Sequence, residues 1–306
     1  MTVWVCGEVL VDRLEERNTV GGGPANTARA IARLGEEVEF IGGISTDECG
    51  VRASEELIRD KVGLRHLHRS DKPTAIASVS VDGKGQATYR FSTSGTVTFD
   101  FALDWLPDPY RFKPSILHIG SLATIIEPGA SALFEWATRV SECAPIIFDP
   151  NVRSHALGDR EKYLSIFERW ASISSVIKAS VEDLDWLYPN HSLAEVSAQL
   201  LEYGIQLLVI TRGAQGMSAI TREGTVEIGA VASEVIDTVG AGDTVGAVLV
   251  DSILRNGILN LQGALLYETL NCAVHAAAIT CSRVGAEPPT RSEIDAAIER
   301  SENAVH

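Results

Sequence analysis

Two aspartates bracket a glycine-containing run near the carboxyl end of the chain, in the sequence DTVGAGD from Asp237 to Asp243. Gly240 and Gly242 let the backbone turn tightly and approach a ligand without interference from a Cβ atom. The apolar stretch TVGAVLV follows directly and predicts a buried helix. The unpaired amides at the start of such a helix, together with its aligned peptide dipoles, form a site for phosphate oxygens.

Asp243 has two interpretations at this position. It could accept the proton of an attacking hydroxyl group and so act as a general base beside the anion hole. It could also cap the helix, because Asp is a favoured N-cap residue. The flanking glycines favour the base without excluding the cap, so the residue pattern alone leaves both open.

The elements that must position this motif follow from short apolar runs that resemble buried parallel strands. The predicted strands cover residues 3–11, 38–44, 115–121, 145–149, 175–180 and 207–211. The predicted helices cover residues 24–35, the residues after Gly50, 129–142, 160–171, 193–203 and a long pair within 243–282. Their alternation predicts an α/β fold with a doubly wound, mainly parallel sheet flanked by helices.

Residues 73–92 interrupt this rhythm with two alternating runs around the turn sequence DGKG at 82–85, which predicts a β-hairpin. Long linkers, internal repeats and low-complexity tracts are absent from the sequence. We therefore predict a single domain over residues 1–306, with a small antiparallel β lid formed by about residues 10–20 and 73–100.

Composition excludes several classes of protein. The net charge of −15 argues against a general nucleic-acid surface. No uncharged apolar run is long enough for a membrane span, and the first residues lack the basic region of a signal peptide. The five cysteines are scattered without CxxC spacing, which indicates reduced thiols rather than disulfides or a zinc site. These features predict a cytoplasmic protein that binds neither nucleic acid nor membrane.

The DTVGAGD run resembles the carboxyl-terminal signature of the ribokinase-like (pfkB) carbohydrate kinases, D-T-x-G-A-G-D. GGGPANTARAIARLG at 21–35 is similar to the amino-terminal signature of that family. Further segments resemble the family in order along the chain: GEVLVD (7–12), FDPNVR (148–153), VITRGAQG (209–216) and CSRVGAEPP (281–289). The resemblance spans nearly the whole chain and implies a ribokinase-like fold and phosphoryl transfer from ATP to a sugar hydroxyl.

The resemblance also implies a role for individual residues. Asp243 would be the general base, and Gly240, Ala241 and Gly242 would supply the amides of the anion hole. The residues implied to bind the sugar are Asp12, Gly22, Gly23, Asn26, Phe91 and Arg153. Asn26 could instead cap the helix after Pro24, and Arg153 could instead form a surface ion pair.

On the nucleotide side, the resemblance implies that Thr211, Gly213 and Gly216 lie at the phosphates and that Ala278 lines the adenine. ATP and Mg²⁺ are the implied cofactors, with K⁺ at a site that many relatives possess. The chain departs from the family's N-x-x-E motif with Ser180 and Asp183, so Asp183, with Glu182 as a substitute, is predicted to act on Mg²⁺ through water.

The acceptor is predicted to be a free sugar, with D-fructose first, because GEVLVD, FDPNVR and YRFSTSGT (89–96) look most like fructokinases. A 2-keto-3-deoxygluconate kinase is the alternative if Arg90 rather than Phe91 faces the site, since strand alternation allows only one of them to do so. Another sugar or nucleoside kinase of the pfkB type is a further alternative. A non-catalytic binding protein of the same fold and a Rossmann dehydrogenase are more remote alternatives. The oligomeric state is left open between monomer and homodimer, and His118 is predicted to be a hydrogen-bonded core residue.

Overall fold

A computed structural model describes residues 2–14, 17–81, 87–154 and 158–304. The strands are β1 (Val3–Cys6), β2 (Leu10–Leu14), β3 (Arg17–Gly21), β4 (Val38–Ile41), β5 (Gly43–Ser45), β6 (His68–Ser70), β7 (Ile76–Val81), β8 (Ala87–Ser92), β9 (Ile116–Gly120), β10 (Ile146–Asp149), β11 (Val176–Ser180), β12 (Leu207–Thr211), β13 (Met217–Thr221) and β14 (Gly224–Ile228). The helices are α1 (Gly23–Arg33), α2 (Glu48–Arg59), α3 (Pro109–Phe112), α4 (Gly129–Ser141), α5 (Arg160–Ala171), α6 (Val181–Leu187), α7 (Leu193–Glu202), α8 (Ala241–Asn256), α9 (Gly263–Cys281) and α10 (Arg291–Ala304).

The main sheet has eight strands in the order β14-β13-β12-β11-β10-β9-β1-β4. Strands β12 to β4 run parallel, and β13 and β14 add an antiparallel edge. The chain leaves β1 for β4 on one side and returns to β9 on the other, which creates a topological switch point between β1 and β9. Ligands of doubly wound sheets bind outside the carboxyl ends of the strands at such a point.

Helices cover both faces of this sheet because its strands bury side chains on both sides. Val3 and Val5 of β1 belong to one apolar cluster, which contains residues of α1, α2, α8, α9 and α10. Trp4 and Cys6, which alternate with them, belong to the other cluster, which contains residues of α4, α5, α6 and α7. The predicted α/β class with a doubly wound, mainly parallel sheet is therefore confirmed.

A second sheet has four strands in the order β3-β2-β7-β8. The predicted antiparallel pairing within 73–92 is confirmed, since β7 pairs with β8 from Ile76–Ser92 to Val81–Ala87. β3 pairs with β2 in the antiparallel direction as well, whereas β2 and β7 are parallel. The predicted turn at 82–85 lies outside the described residues.

Two predicted strands are each divided by a glycine. Residues 3–11 form β1 of the main sheet and the start of β2 of the small sheet, with a break at Gly7. Gly7 has φ 152°, and a Cβ there would lie 2.3 Å from Cγ of Pro24. Residues 38–44 form β4 and then β5, which pairs with β6, with a break at Gly42. A Cβ at Gly42 would lie 2.6 Å from the carbonyl oxygen of Gly7, so the chain bends after β1 and β4 pack directly against each other.

The helix predictions agree closely with the structure. The predicted helix 160–171 has the same bounds as α5, and the long pair within 243–282 is formed by α8 and α9. Helix α2 begins at Glu48 rather than after Gly50, because the Asp47 side chain accepts a hydrogen bond from the Gly50 amide as its N-cap. No helix within the described ranges is long and apolar enough to cross a membrane.

Candidate active site

Asp243 lies at the third position of α8, because the helix begins at Ala241 and its N-cap residue is Gly240. Gly240 has a left-handed backbone with φ 81°, which favours glycine, and it provides no side-chain cap. The interpretation of Asp243 as the N-cap is therefore wrong. The carboxylate is free of that role and lies in the first turn, where the helix dipole favours a negative charge.

Asn26 of α1 donates a hydrogen bond from Nδ2 to Oδ2 of Asp243 at 2.9 Å, and both side chains are buried. Asn26 is not a helix cap either, because Gly22 is the N-cap residue of α1. Burial raises the pKa of Asp243 to about 7, with the positive charge of Lys178 acting against this increase and the negative charge of Asp149 adding to it. A carboxyl group with this pKa can accept and release a proton at neutral pH.

The backbone of Gly23 lies close to the carboxylate of Asp243 because glycine has no side chain. A Cβ at Gly23 would lie 2.9 Å from Nδ2 of Asn151 and 3.2 Å from Oδ1 of Asp243. Ser121, also adjacent to Gly23, and Asn151 have positive φ angles of 58° and 39°. Such backbone conformations are uncommon outside glycine and tend to occur at functional sites. Neither Ser121 nor Asn151 was predicted, although Asn151 stands within the FDPNVR segment.

Lys178 and Asp149 form a buried ion pair that sequence reasoning missed. The Lys178 Nζ lies 2.7 Å from Oδ2 of Asp149, and each side chain is only 6% exposed. Nζ also donates to the carbonyl of Gly242 at 3.1 Å. A lysine inside the apolar strand sequence SVIKAS was the available signal, since a buried lysine requires a partner.

His118 is buried, which agrees with the prediction of a core residue. The predicted hydrogen bond of its ring is not found among the described residues. Neither ring nitrogen has a hydrogen-bond partner among the described residues, and burial together with Lys178 lowers its pKa to about 3. His118 fills the space beside Gly246 of α8, where a Cβ would lie 3.1 Å from Nε2. It therefore acts as a neutral packing group below the site.

Asp12 lies on β2, with its carboxylate against the glycine run that precedes α1. A Cβ at Gly21 would lie 2.2 Å from Oδ2 of Asp12, and the next residue, Gly22, has φ 110°.

The register of the small sheet pairs Asp12 with Ala77 and Ala77 with Phe91. Directly paired residues point to the same face of a sheet, so Phe91 shares the face of Asp12. Phe91 is half-buried and packs against the apolar cluster of Trp4, while the side chain of Arg90 lies outside the described residues.

Arg153 and Glu8 add one charge of each sign to this region. The side chain of Arg153 is exposed, and its positive charge acts on Glu8, Asp12 and Asp243. Burial raises the pKa of Asp12, and Arg153 opposes that increase. Glu8 is buried and accepts a hydrogen bond from the Ala123 amide at Oε2, with burial raising its pKa. Arg153 therefore lies near the carboxylates on both sides of the site.

Comparison with known proteins identifies this arrangement. The profile of the pfkB family carbohydrate kinases matches residues 7–293. The chain belongs to the pfkB family of carbohydrate kinases. This membership makes the protein an ATP-dependent sugar kinase and confirms the resemblance found in its signatures.

A fructokinase of Rhizobium leguminosarum bv. trifolii is 33% identical to this kinase over 263 residues, which are 83% of this chain and 80% of the relative. The crystal structure of a fructokinase from Xylella fastidiosa with bound ATP has a TM-score of 0.92, is 26% identical, and covers 98% of this chain and 99% of its own. A double mutant of the fructokinase from Vibrio cholerae O395, solved with fructose, ADP and a potassium ion, has a TM-score of 0.84 at 25% identity, with 97% and 98% of the chains covered.

The predicted nucleotide residues of the kinase lie at the β12 end of the main sheet. Thr211 is the last residue of β12, and Gly213 follows it with an open, exposed backbone. Gly216 differs, because a Cβ there would lie 2.0 Å from the carbonyl oxygen of Ile228. The packing of β14 is therefore sufficient to explain glycine at 216. Ala278 is half-buried on α9, three residues before Cys281, whose carbonyl accepts the amides of Ile236 and Asp237.

The DTVGAGD turn is fixed by the segment that follows α9. Asp237 accepts the amides of Val239 and Gly285 at 3.0 and 2.9 Å. A Cβ at Gly240 would lie 2.6 Å from Cβ of Ala286. Within the turn, the Ala241 amide donates to the Thr238 carbonyl at 3.3 Å. Of the three amides predicted for the anion hole, those of Gly240 and Gly242 therefore have no acceptor among the described residues.

Two arginines of α1 hold the same carboxyl-terminal segment in place. Arg29 donates to the carbonyl of Ala286 at 3.0 Å, and Arg33 donates to the carbonyl of Pro288 at 2.8 Å. Both arginines also pair with Asp60 and Glu287. We call these four side chains the arginine cluster. Through Ala286, which touches Gly240, the cluster connects the helix of Asn26 to the turn before Asp243.

Asp183 forms a capping box with Ser180 at the start of α6. Its Oδ2 accepts the Ser180 amide at 2.9 Å, and the Ser180 hydroxyl accepts the Asp183 amide at 3.0 Å. Its Oδ1 accepts the Val152 amide at 2.8 Å, which fixes the segment of Arg153. Glu182 is exposed. Within the part of the chain that the structure describes, no group of three or more His, Cys, Asp or Glu side chains could hold a metal ion.

Proposed function

We propose that the protein transfers the γ-phosphate of ATP to a hydroxymethyl group of a free sugar, with D-fructose as the acceptor. The observation that carries the proposal is the buried contact between Asn26 and Asp243, at 2.9 Å, where the first turns of α1 and α8 meet. A base in this place can face an acceptor held by α1 and a phosphoryl group held by α8. The fructokinases that the chain resembles support fructose as the acceptor.

On the acceptor side, we assign sugar binding to the small sheet and to the start of α1. Asp12 can accept hydrogen bonds from two hydroxyl groups, and Asn26 can both donate and accept. Gly22 and Gly23 let the sugar approach the backbone. Phe91, on the face of Asp12, would cover an apolar side of the sugar, and Arg153 would bind an oxygen near the carboxylates. The small sheet thereby acts as a lid that excludes water from the reaction.

On the phosphate side, Asp243 accepts the proton of the attacking hydroxyl as its oxygen bonds to the γ-phosphorus and the bond to ADP breaks. The amides of Gly240 and Gly242 and the dipole of α8 stabilise the charge that develops on the phosphate oxygens. Thr211 and Gly213 are assigned to the remaining phosphates. The exposed apolar side chains of Val235, Ile236 and Val284, which flank this turn, join Ala278 in a surface suited to the adenine.

Asp183 and Glu182 are the residues that would act on Mg²⁺, and backbone carbonyl groups are those that would bind K⁺. Bound Mg²⁺ neutralises phosphate charge and usually keeps several water ligands. Both oxygens of Asp183 already accept backbone amides, so Asp183 and the exposed Glu182 would act through water rather than by direct coordination. Carbonyl groups around Asp237 and in the segment after α9 are the candidate ligands for K⁺, except that of Ala286, which accepts a hydrogen bond from Arg29. Replacing K⁺ with a bulky organic cation in the assay tests this assignment.

The test is an ADP-release assay with D-fructose, 2-keto-3-deoxygluconate, ribose, tagatose and adenosine as acceptors. We expect kcat/KM to be highest with fructose and the product to carry phosphate on a hydroxymethyl carbon, as measured by ³¹P NMR. Asp243→Asn serves as the control for chemistry at this site. Equal background with every acceptor contradicts the sugar kinase, whereas a preference for 2-keto-3-deoxygluconate contradicts only the choice of fructose.

A further inference from the structure

The buried pair of Lys178 and Asp149 lies directly below the turn that carries the proposed base. The two residues belong to neighbouring parallel strands, β11 and β10, and their charged atoms are 2.7 Å apart. An ion pair with both side chains only 6% exposed is expensive to desolvate and is often no more stable than apolar residues of the same volume. Stability alone therefore does not explain why the chain places these charges at this depth.

Lys178 also contacts the first turn of α8. Its ammonium group donates to the carbonyl of Gly242, the residue before Asp243, at 3.1 Å. A Cβ at Gly242 would lie 3.1 Å from Nζ, so the second glycine of the motif provides space for the lysine as well as an amide for the ligand. The position of the first turn, and with it the direction of the Asp243 carboxylate, therefore depends on Lys178.

The charged and titratable groups around Asp243 come from four sides. Lys178 and Asp149 lie below it on β11 and β10, and the exposed Arg153 follows β10. On α1, the Asn26 amide is neutral and donates to the carboxylate. Two further titratable groups interact with Lys178: burial and the charge of Lys178 lower the pKa of His118 on β9, and Asp183 on α6 acts to raise the pKa of Lys178. The only buried charges that act on Asp243 among these are those of the pair.

We propose that Lys178 and Asp149 are positioning residues that set the ionisation of the base with opposite signs. Lys178 holds the Gly242 carbonyl and favours the carboxylate form of Asp243, which can accept the hydroxyl proton. Asp149 compensates part of that positive charge, so that Asp243 stays basic enough to take the proton as the new O–P bond forms. The inference rests on the proposed function of Asp243 as the base.

The pKa of Asp243 agrees with this arrangement. Burial raises it to about 7, Lys178 acts to lower it and Asp149 acts to raise it. Removing Lys178 should therefore increase the pH that is needed to ionise the base, and removing the charge of Asp149 should decrease it. The proposal therefore predicts that the two substitutions move the pH at which Asp243 ionises in opposite directions, although the two residues are in direct contact. Simple damage to the fold would change the activity of both variants in the same direction.

The experiment compares Lys178→Met, Asp149→Asn and the double variant by the pH dependence of kcat/KM for the sugar at saturating ATP. We expect the acidic limb to move to higher pH in Lys178→Met and to lower pH in Asp149→Asn, each by about one pH unit or more. In the double variant, the limb should return toward that of the parent. Arg139→Met and Glu135→Gln, which break an exposed ion pair on α4, provide the matched controls and should not move it.

Thermal unfolding of each variant separates folding from chemistry. Each single variant leaves one buried charge without its partner, Asp149 in Lys178→Met and Lys178 in Asp149→Asn, and could fail to fold, whereas the double variant leaves neither charge of the pair. If Lys178→Met is unfolded, a limb displaced to lower pH in Asp149→Asn and restored in the double variant still supports the proposal. Displacement of all variants in the same direction, or of none, overturns it. Failure of the proposed function is distinct, because the parent enzyme would then transfer no phosphate.

Discussion

Two regions meet at the site and are held in place by different forces. The site floor, which we define as Asn26, Asp149, Lys178 and Asp243, is buried and connected by side-chain contacts of 2.7–3.1 Å that include the Gly242 carbonyl. The small sheet, β3-β2-β7-β8, carries Asp12 and Phe91 and is held together by backbone pairing between its strands. Direct side-chain contacts fix the floor residues, whereas strand register fixes the sheet residues.

The difference indicates how the two regions divide the work. A general base must keep its geometry through the reaction, and a displacement of about 1 Å can cost 10²-fold in rate. A sugar-binding surface must instead admit and release the substrate, which backbone-paired strands at the edge of the fold can do by small movements. We therefore expect changes in the floor to act on kcat and changes in the sheet to act on the KM for the sugar.

The largest effect is expected for Asp243→Asn, which keeps the shape of the side chain and removes the proposed base. The rate constant kcat should fall by about 10²–10⁴-fold. The folded-state pKa of Asp243 is raised, so its contribution to stability is complete below the unfolded pKa and is lost as the pH rises through about 7. Asn stays neutral, and the melting temperature at pH values above 7 should therefore equal or exceed that of the parent. Turnover by Asp243→Asn close to that of the parent would show that Asp243 has only a structural role in the DTVGAGD motif.

The next largest effect is expected for Gly23→Ala. The added Cβ would lie 2.9 Å from Nδ2 of Asn151 and 3.2 Å from Oδ1 of Asp243, so at least one of these groups must move. We expect kcat to fall by about 10²-fold with a smaller change in KM. Gly229→Ala is the matched control, because a Cβ there would meet no atom within 4 Å. A rise in KM with unchanged kcat would place Gly23 with the sheet residues instead.

A smaller effect, on KM rather than kcat, is expected for Asp12→Asn. Asn fits over Gly21 as Asp does but loses the charge-assisted hydrogen bonds to sugar hydroxyls. We expect the KM for the sugar to rise by about tenfold or more, while the KM for ATP is unchanged. Steady-state kinetics with each substrate varied in turn measure both values. A decrease in kcat alone would show that the sheet takes part in the chemical step.

The smallest effect is expected for Phe91→Leu, which keeps an apolar side chain on the face of Asp12. The KM for the sugar should rise only a few-fold, since about one aromatic contact is lost. Phe112→Leu, a change at a partly exposed aromatic side chain on α3, should leave KM unaltered. If Phe91→Leu changes kcat more than the KM for the sugar, Phe91 is needed for closure of the proposed lid as well as for sugar contact.

Sequence reasoning predicted the fold class and most helix bounds because apolar periodicity and parallel-strand runs are local signals. It also pointed to Asp243 and Asn26, which lie in two short signatures and which the structure brings into contact. It missed Lys178, because a lysine within an apolar strand is interpretable only when its partner on the adjacent strand is known. It missed the break at Gly7 for the same reason, since the close approach of Pro24 is a contact between distant parts of the chain.

The assignment of Asp243 as a possible N-cap failed for a different physical reason. Asp is favoured at N-caps and also in the first turn, so residue type alone could not fix the helix start to within three residues. The left-handed conformation of Gly240, which ends the turn, decides the position. The roles of individual residues in sugar and nucleotide binding stay predictions until the variants above are measured.

The arginine cluster has a consequence for the order in which the site can form while the chain is being synthesised. Arg29 and Ala286 are 257 residues apart, and Asn26 and Asp243 are 217 apart, so the contact at Asp243 cannot form before residue 243 has emerged from the ribosome, nor the contact at Ala286 before residue 286. Contacts over such separations form late, because the intervening loop must close first. A nascent chain that stalls before residue 286 would carry a complete amino-terminal signature, with the arginines of α1 paired to Asp60, and yet lack the contact that joins α1 to the turn before Asp243.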